Sequence, residues 1–206
     1  MNKLIPFIPR HFRYVEVFGA HRTLLFNKKT SPIEIFNDTH GGLCHFYRMM
    51  RDEESFDKLS ELIFEAPTMS VNPTKWYEEK DEVKKAYAWY LMQRGPNATL
   101  GNLPGVHARL LRCQVEHVDF RKMFEIYGGD GVFFHCNPPV VQDAPAKFIS
   151  EMDIEGAVDL IELLCNTNGN GMLYTQESCY DALMDFGWTC HIWQKDRVFY
   201  QKKRGV

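Results

Sequence analysis

A series of short apolar runs constrains the fold of this chain more than any other feature. Each run is apolar on both sides, as strands are when helices cover both faces of their sheet. The runs therefore predict one largely buried sheet. The predicted strands are Tyr14–Phe18, Pro32–Phe36, Cys113–Val118, Gly131–Cys136, Gly171–Thr175, Trp188–Gln194 and Val198–Lys202.

Between the runs lie stretches whose apolar residues recur at helical spacing. Strands that alternate with helices and end in a hairpin predict an α/β fold. We expect a mostly parallel sheet flanked by helices, with one antiparallel strand near the C-terminus. The predicted helices are Gly42–Arg51, Glu54–Phe64, Thr74–Arg94, Phe120–Tyr127, Ile154–Cys165 and Glu177–Phe186, which Gly187 ends.

The domain organisation follows from the gap between the second and third predicted strands. Residues 53–111 contain helices but no strand, so we predict that they form a small helical insertion. The remaining residues, 1–52 and 112–206, are predicted to form the core. A chain of 206 residues suits one compact domain with such a lobe. Gly95–Gly105, with its Gly, Pro and Asn residues, is predicted to be a loop.

Several classes of protein are disfavoured by composition. No apolar run approaches the ~18 residues of a membrane span, and the first ten residues are too short and too rich in proline for a signal peptide. We therefore expect a cytoplasmic protein with no membrane partner. The six cysteines contain no CxxC and are expected to be reduced, and the eight histidines lack zinc spacing, so no metal site is predicted.

The net charge of −3 argues against a general binder of polyanions. A DNA-binding protein with this balance must concentrate its basic residues on one face. The candidates that flank the third predicted strand are Arg94, Arg109, Arg112, Arg121 and Lys122. An acidic cleft would instead favour a protein partner.

The most specific motif follows the fourth predicted strand. In an open parallel sheet, ligands bind at the carboxyl ends of the strands. Asn137-Pro138-Pro139 comes directly after the apolar run GVFFHC. A strand that ends in Asp/Asn-Pro-Pro-aromatic resembles the catalytic motif of amino-methyltransferases. By itself, the motif is also consistent with an ordinary loop, because Pro-Pro commonly follows a strand.

Four further segments strengthen this resemblance. They begin YVEVFGAHRTLLF at Tyr14, SPIEIFNDTHGG at Ser31, VEHVDFRKMFEIY at Val115 and EMDIEGAVDLIELL at Glu151. Together they resemble, in order and over most of the chain, the Dam-type adenine-N6 DNA methyltransferases. The resemblance implies a Rossmann-like methyltransferase sheet, an insertion similar to a target-recognition lobe, double-stranded DNA as partner and S-adenosylmethionine as cofactor.

The same resemblance implies roles for individual residues. Asn137 and the carbonyl of Pro138 would hold the amino group of a flipped adenine, with Pro139 and Val140 completing the catalytic motif. Asp38 and Asp119 are implied to contact the cofactor, but each could instead be a helix cap. His21, His107 and His135 are interpreted as ordinary histidines. The implied cofactor contacts are Lys3, Phe18, Gly19, Ala20, Asp38, Asp119 and Phe120.

Both motifs depart from the family pattern. Val140 stands where the family has an aromatic residue, and one base–aromatic stack contributes about 1–3 kcal/mol. Ala20 and Arg22 stand where the family has glycines, whose missing side chains let the backbone approach the cofactor. Arg22 is either a surface charge or a filler of the emptied pocket. Of the family's N-terminal Gly-Gly-Lys segment, only the lysine has a counterpart in this chain, at Lys3.

Three hypotheses follow. The chain could be a pseudo-methyltransferase, with methyl transfer impaired or lost, that binds DNA or a protein and needs no cofactor. It could be an active DNA adenine-N6 methyltransferase that uses S-adenosylmethionine, or an enzyme repurposed to another ligand in the same crevice. Binding of the cofactor distinguishes the first two. The family is common in restriction systems and phages, and the sequence does not distinguish these settings.

Overall fold

The computed structural model of the chain describes residues 2–19, 23–65, 71–94, 102–142 and 152–201. These residues belong to two compact units. The first comprises Met1–His40 and Glu116–Val206, and the second comprises Gly41–Val115. The predicted insertion, residues 53–111, lies within the second unit.

The elements follow one another along the chain as strands and helices. The strands are β1 (Arg13–Glu16), β2 (Ile33–Asn37), β3 (Cys113–Glu116), β4 (Val132–Cys136), β5 (Val141–Gln142), β6 (Met152–Asp153), β7 (Asn170–Thr175), β8 (Thr189–Trp193) and β9 (Asp196–Gln201). The α-helices are α1 (Gly41–Arg51), α2 (Glu53–Glu65), α3 (Glu82–Arg94), α4 (Leu103–Leu110), α5 (Phe120–Tyr127) and α6 (Ile154–Asn166). The 3₁₀ helices are Asn2–Phe7, Pro73–Glu78 and Ser178–Phe186.

Seven strands form one sheet in the order β3-β2-β1-β4-β7-β9-β8. β1 runs parallel to β2 and β4, and β4 runs parallel to β7, whereas β9 is antiparallel to both of its neighbours. The predicted α/β fold, Rossmann-like with a mostly parallel sheet and antiparallel pairing near the C-terminus, is confirmed. Because the strand order reverses between β1 and β4, the carboxyl ends of these strands mark the usual ligand crevice.

One face of the sheet carries the apolar core of the first unit. Val15 in β1 and Phe134 in β4 are buried there with residues of α5, α6 and the 3₁₀ helix Ser178–Phe186. The ring of Phe124 in α5 stacks on that of Phe134, with centroids 4.3 Å apart. Burying a side chain of this size contributes roughly 1.5–3 kcal/mol, so these contacts fix the helices to the sheet.

The opposite face of β1 and β2 is buried but polar. The ammonium of Lys28 lies 2.5 Å from the carboxylate of Glu34 in β2 and 4.1 Å from the ring centroid of Tyr14 in β1. Lys28 also donates to the hydroxyl of Ser31 at 2.7 Å. Buried ions are tolerated only when they are paired and hydrogen-bonded, and this pair attaches the segment after β1 to the sheet.

In the second unit, the predicted long helix Thr74–Arg94 is wrong. A 3₁₀ helix, Pro73–Glu78, and α3 replace it, and Glu79 between them is extended. The carboxylate of Asp81 accepts hydrogen bonds from the backbone amides of residues 83 and 84, at 3.0 and 2.9 Å. An aspartate that caps a new helix in this way explains why the helical pattern is interrupted here.

The C-terminal part of the predicted loop Gly95–Gly105 is also helical. Asn102 caps α4 by accepting from the backbone amide of Gly105 at 3.0 Å, and Pro104 lies in the first turn, where its missing amide costs nothing. The last predicted helix is the 3₁₀ helix Ser178–Phe186, which ends at Gly187 in the left-handed region (φ 80°). Among the residues that the structure describes, no helix has the length and apolarity needed to cross a membrane.

Candidate functional site

The carboxyl ends of β1, β2 and β4 lie side by side in the first unit. Phe18 and Gly19 follow β1, Asp38 follows β2, and Asn137 opens the loop after β4. The structure thus brings most of the predicted site segments to one edge of the sheet, at the point where the strand order reverses.

Asn137 offers an uncommitted amide at this edge. It is half-buried, and within the described ranges its side chain makes no hydrogen bond, while Pro138 behind it is buried. An asparagine side chain has one acceptor oxygen and two donor hydrogens. It can therefore accept from an exocyclic amino group and donate to a neighbouring ring nitrogen.

Val140 closes the motif and is 58% exposed. Its carbonyl accepts a hydrogen bond from the Met152 amide at 3.3 Å, and Val141 pairs with Met152 in a short parallel bridge. The backbone of the motif is therefore held against the start of α6, whereas the valine side chain faces outward and supplies no ring for stacking.

Glu16, at the end of β1, binds the backbone just after residues 20–22, where the resemblance places the cofactor loop. Its buried carboxylate accepts from the amides of Leu24 and Leu25, both at 2.9 Å, and from the Tyr14 hydroxyl at 2.6 Å. His135 Nδ1 lies 3.2 Å from it. Burial by itself would raise the pKa of Glu16, but His135 together with hydrogen bonds from Thr23 and Tyr14 lowers it below its ordinary value.

The sequence analysis did not propose Glu16 as a site residue. Its signal was a charged side chain inside an apolar strand, which implies a buried partner. Because Glu16 binds two successive backbone amides just after residues 20–22, it fixes one end of the segment that the resemblance assigns to the cofactor.

Position 19 favours glycine because the backbone there lies close to the ring of Phe36. Its amide donates to the carbonyl of Asn37 at 2.8 Å, and a Cβ at this position would lie 2.1 Å from the ring of Phe36. The ring of Phe18 lies 5.4 Å from that of Phe120. Ala20, His21 and Arg22 lie outside the described residues, so the predicted crowding of the cofactor by Ala20 and Arg22 stays a prediction.

The two predicted acidic cofactor contacts both bind backbone amides. Asp38 accepts from the amide of His40 at 2.7 Å, which forms a local turn. Asp119 is the N-cap of α5 and accepts from the amide of Arg121 at 2.9 Å. Asp119 therefore has the capping role that the sequence left open, whereas Asp38 forms a turn before α1 begins at Gly41. A contact of either residue with a cofactor stays a prediction.

The predicted DNA-contacting residues of the first unit are paired with acidic neighbours. Arg121 lies 2.6 Å from Asp159 and 3.1 Å from Asp119, and Lys122 lies 2.6 Å from Glu125. These exposed pairs are weak, and a phosphate could compete for the cations. The other candidates belong to the second unit: Arg109 is half-buried, Arg112 is exposed, and Arg94 ends α3.

Lys3 is committed to the C-terminal hairpin. Its ammonium is paired with the carboxylate of Asp196 at the start of β9 and lies 5.1 Å from the ring of Trp193 and 5.5 Å from that of Tyr174. The hydrogen bonds from Lys3 and Tyr174 lower the pKa of Asp196 to about 2. This ion pair fastens the N-terminal segment to the sheet.

Across the described part of the chain, no three His, Cys, Asp or Glu side chains are grouped so that they could hold a metal ion. Comparison with models of known protein families finds no match, and a search of curated proteins finds no similar sequence. The sheet itself shows the Rossmann-like fold, and the methyltransferase resemblance stays a prediction that rests on the residues at its carboxyl edge.

Proposed function

We propose that this chain is a Dam-type adenine-N6 DNA methyltransferase-like protein whose methyl transfer is impaired or lost, and that its crevice retains the binding of DNA. The observation that carries the proposal is the loop Asn137–Val140. It lies beside the reversal of strand order, with an amide to which no described group bonds at one end and an exposed valine at the other.

The free amide supports recognition of a base that carries an amino group. Asn137 Oδ1 would accept a hydrogen from the exocyclic amino group, and Nδ2 would donate to the adjacent ring nitrogen. In adenine these two groups are neighbours on the Watson–Crick edge. A base read on its Watson–Crick edge must leave the duplex, because that edge is paired inside the helix.

Val140 supports weak holding of that base. Without a stacked ring, the base loses about 1–3 kcal/mol of contact. A base that is held by hydrogen bonds alone is free to rotate about them. Since transfer requires the reacting atoms in line within about 3–3.5 Å, loose holding lowers the rate more than the affinity.

The described residues do not fit S-adenosylmethionine well. Lys3 is paired with Asp196, and Asp119 binds a backbone amide in the first turn of α5. Asp38 already caps a turn through one oxygen. The polar groups that the resemblance assigns to the cofactor are thus engaged within the protein, which supports the loss of methyl transfer.

Calorimetric titration of S-adenosylmethionine, and then of S-adenosylhomocysteine, into the full chain tests the first half of the proposal. We expect no heat at millimolar ligand and no thermal shift. Micromolar binding would contradict the loss of the cofactor and would favour an active adenine-N6 methyltransferase. That second candidate is supported by the uncommitted Asn137 amide, and transfer of a labelled methyl group to adenine-containing duplexes would establish it.

Fluorescence anisotropy with a labelled mixed-sequence duplex tests the second half. We expect binding that weakens as the salt concentration rises, because phosphate contacts release counterions. The variant Asn137→Ala should retain this salt-dependent binding but lose any preference for a duplex whose adenine lies opposite an abasic site. No binding at low salt would contradict the DNA part of the proposal and would favour a protein partner.

A further inference from the structure

Within the part of the chain that the structure describes, the outer edge of the sheet at β8 presents unpaired backbone groups. β8 and β9 are joined by a two-residue turn, with Trp193 opposite Asp196. In such a hairpin, the pair that flanks the turn exchanges both hydrogen bonds, and alternate residues then point their N–H and C=O groups away from the partner strand. Cys190 and Ile192 therefore direct these groups outward, and β8 is the last strand of the sheet.

The sequence of β8 carries none of the residues that usually protect an exposed edge. Proteins shield exposed edges with lysines, prolines, bulges or covering elements. β8 reads TCHIW, with none of these residues. Elsewhere among the described ranges, the carbonyl of Val115 in β3, at the other end of the sheet order, accepts two bonds from the guanidinium of Arg48, at 3.1 and 3.3 Å.

Apolar side chains flank the unprotected edge. Cys190 and Ile192 share one face of β8, and Cys190 packs against the core cluster that includes Leu183 of the 3₁₀ helix Ser178–Phe186. Ile192 is 61% exposed, and in that 3₁₀ helix Phe186 is 60% and Met184 47% exposed. A specific interface needs about 800 Å² from each partner, which a short strand edge alone does not provide. An interface at β8 would therefore also have to bury exposed apolar side chains such as these.

We propose that the β8 edge is the interface between two copies of this chain, which pair antiparallel about a two-fold axis at His191. In this register, Cys190 of each copy faces Ile192 of the other. Cys190 and Ile192 are the residues whose backbone groups point outward, so each Cys190–Ile192 pair across the interface exchanges hydrogen bonds. The two His191 residues face each other between these pairs as a non-hydrogen-bonded pair. The edge is thus complementary to itself, as a two-fold interface requires.

The charges next to β8 are complementary in the same register. Lys195 lies exposed in the hairpin turn and is brought level with Gly187 of the second copy. Asp185, also exposed, precedes that glycine by two residues. Each end of the paired strands therefore places a lysine near an aspartate, which favours this register over one shifted by two residues.

Sedimentation equilibrium of the full chain, from about 5 to 200 μM, tests the interface. We expect a species of twice the chain mass. Ile192→Lys should raise the dissociation constant at least about tenfold, because it places a charge on the apolar edge. Phe12→Lys is the matched control, since Phe12 is 58% exposed on the residue before β1. A monomeric wild type, or equal effects of the two variants, would overturn the proposal.

His191→Cys tests the register. Residues of a non-hydrogen-bonded antiparallel pair have Cα atoms about 4.5 Å apart, within the range that a disulfide bridges. The variant should form a covalent dimer under mild oxidation. The wild type, whose Cys190 residues would lie about 7–8 Å apart on the diagonal, should not. A variant that dimerises in sedimentation without cross-linking would refute this register, and so would a wild type cross-linked through Cys190.

Discussion

Asn37 and Asn137 lie at the carboxyl ends of two strands of the sheet, and the two side chains differ completely in their surroundings. Asn37, the last residue of β2, is buried and donates to the carbonyls of Val17 and Val118, at 3.0 and 3.1 Å, while it accepts from the Val118 amide at 3.0 Å. Asn137, after β4, is half-buried, and no described group bonds to its amide. Buried polar groups are normally satisfied, so an accessible amide without partners is the one available for a ligand.

The comparison separates a structural role from a binding role for the same residue type. Asn37 links the segments that follow β1 and β3, so the protein itself uses its hydrogen-bonding capacity. No described group uses the hydrogen-bonding capacity of Asn137, which under the proposed function serves another molecule. If this distinction is correct, stability and binding should respond to the two residues in opposite ways.

The largest effect is expected from Asn37→Ala. The substitution leaves two carbonyls and one amide without partners in a buried environment. With roughly 1–3 kcal/mol for each unsatisfied group and partial relaxation, we expect the free energy of unfolding to fall by about 3 kcal/mol. Urea denaturation monitored by circular dichroism measures this. A loss below 1 kcal/mol would mean that Asn37 is not the link between these segments.

A somewhat smaller effect is expected from Glu16→Gln. The variant keeps the shape but weakens two charge-assisted bonds to backbone amides, and we expect a loss of about 2 kcal/mol at neutral pH. Because the folded-state pKa of Glu16 is lowered, the stabilisation is present above the unfolded pKa of about 4.3 and is lost as the pH falls through the folded value. The difference between wild type and variant should therefore shrink below about pH 4.

Urea titrations of both proteins at a series of pH values provide the measurement for Glu16. His135→Gln serves as a companion, since it removes the imidazole but leaves the bonds from Leu24 and Leu25. A difference between wild type and Glu16→Gln that stays constant down to pH 3 would show that the charge of Glu16 contributes nothing to stability.

The seven strands of the main sheet and most helices could be predicted because local sequence determines them, whereas the short pair β5 and β6 was not predicted. α5 was predicted with its observed ends, since Asp119 caps it and Phe120, Met123 and Phe124 form its buried stripe. α4 was missed because the Gly and Asn residues before it resemble a loop. Its true signal, Asn102 followed two residues later by Pro104, lies at the end of that stretch.

The role of each site residue could not be predicted to the same degree. Asn37 and Asn137 look alike in sequence, and what separates them is the approach of Val118, 81 residues from Asn37 along the chain. Glu16 likewise depends on His135, 119 residues away. Such partners meet only after the parallel sheet has formed, so strand-end motifs indicate where a site lies but not which of its side chains remain free.

Val140→Tyr tests whether the loop that contains Asn137 binds a base. A ring beside Asn137 would restore a stacking surface, and we expect affinity for a duplex with an adenine opposite an abasic site to rise about tenfold, within the 1–3 kcal/mol of one stack. Ile154→Tyr, which adds a ring at an exposed position at the start of α6, is the control and should change affinity less than twofold. Equal gains in both variants would indicate non-specific stacking.

The smallest effect is expected for the stability of Asn137→Ala. Because no described group bonds to the amide, its removal leaves nothing unsatisfied, and the free energy of unfolding should change by less than about 0.5 kcal/mol, as for an ordinary surface substitution. The same urea titration used for Asn37→Ala gives the value. A loss comparable to that of Asn37→Ala would show that Asn137 is also a structural link, and the crevice would then have no free amide with which to read a base.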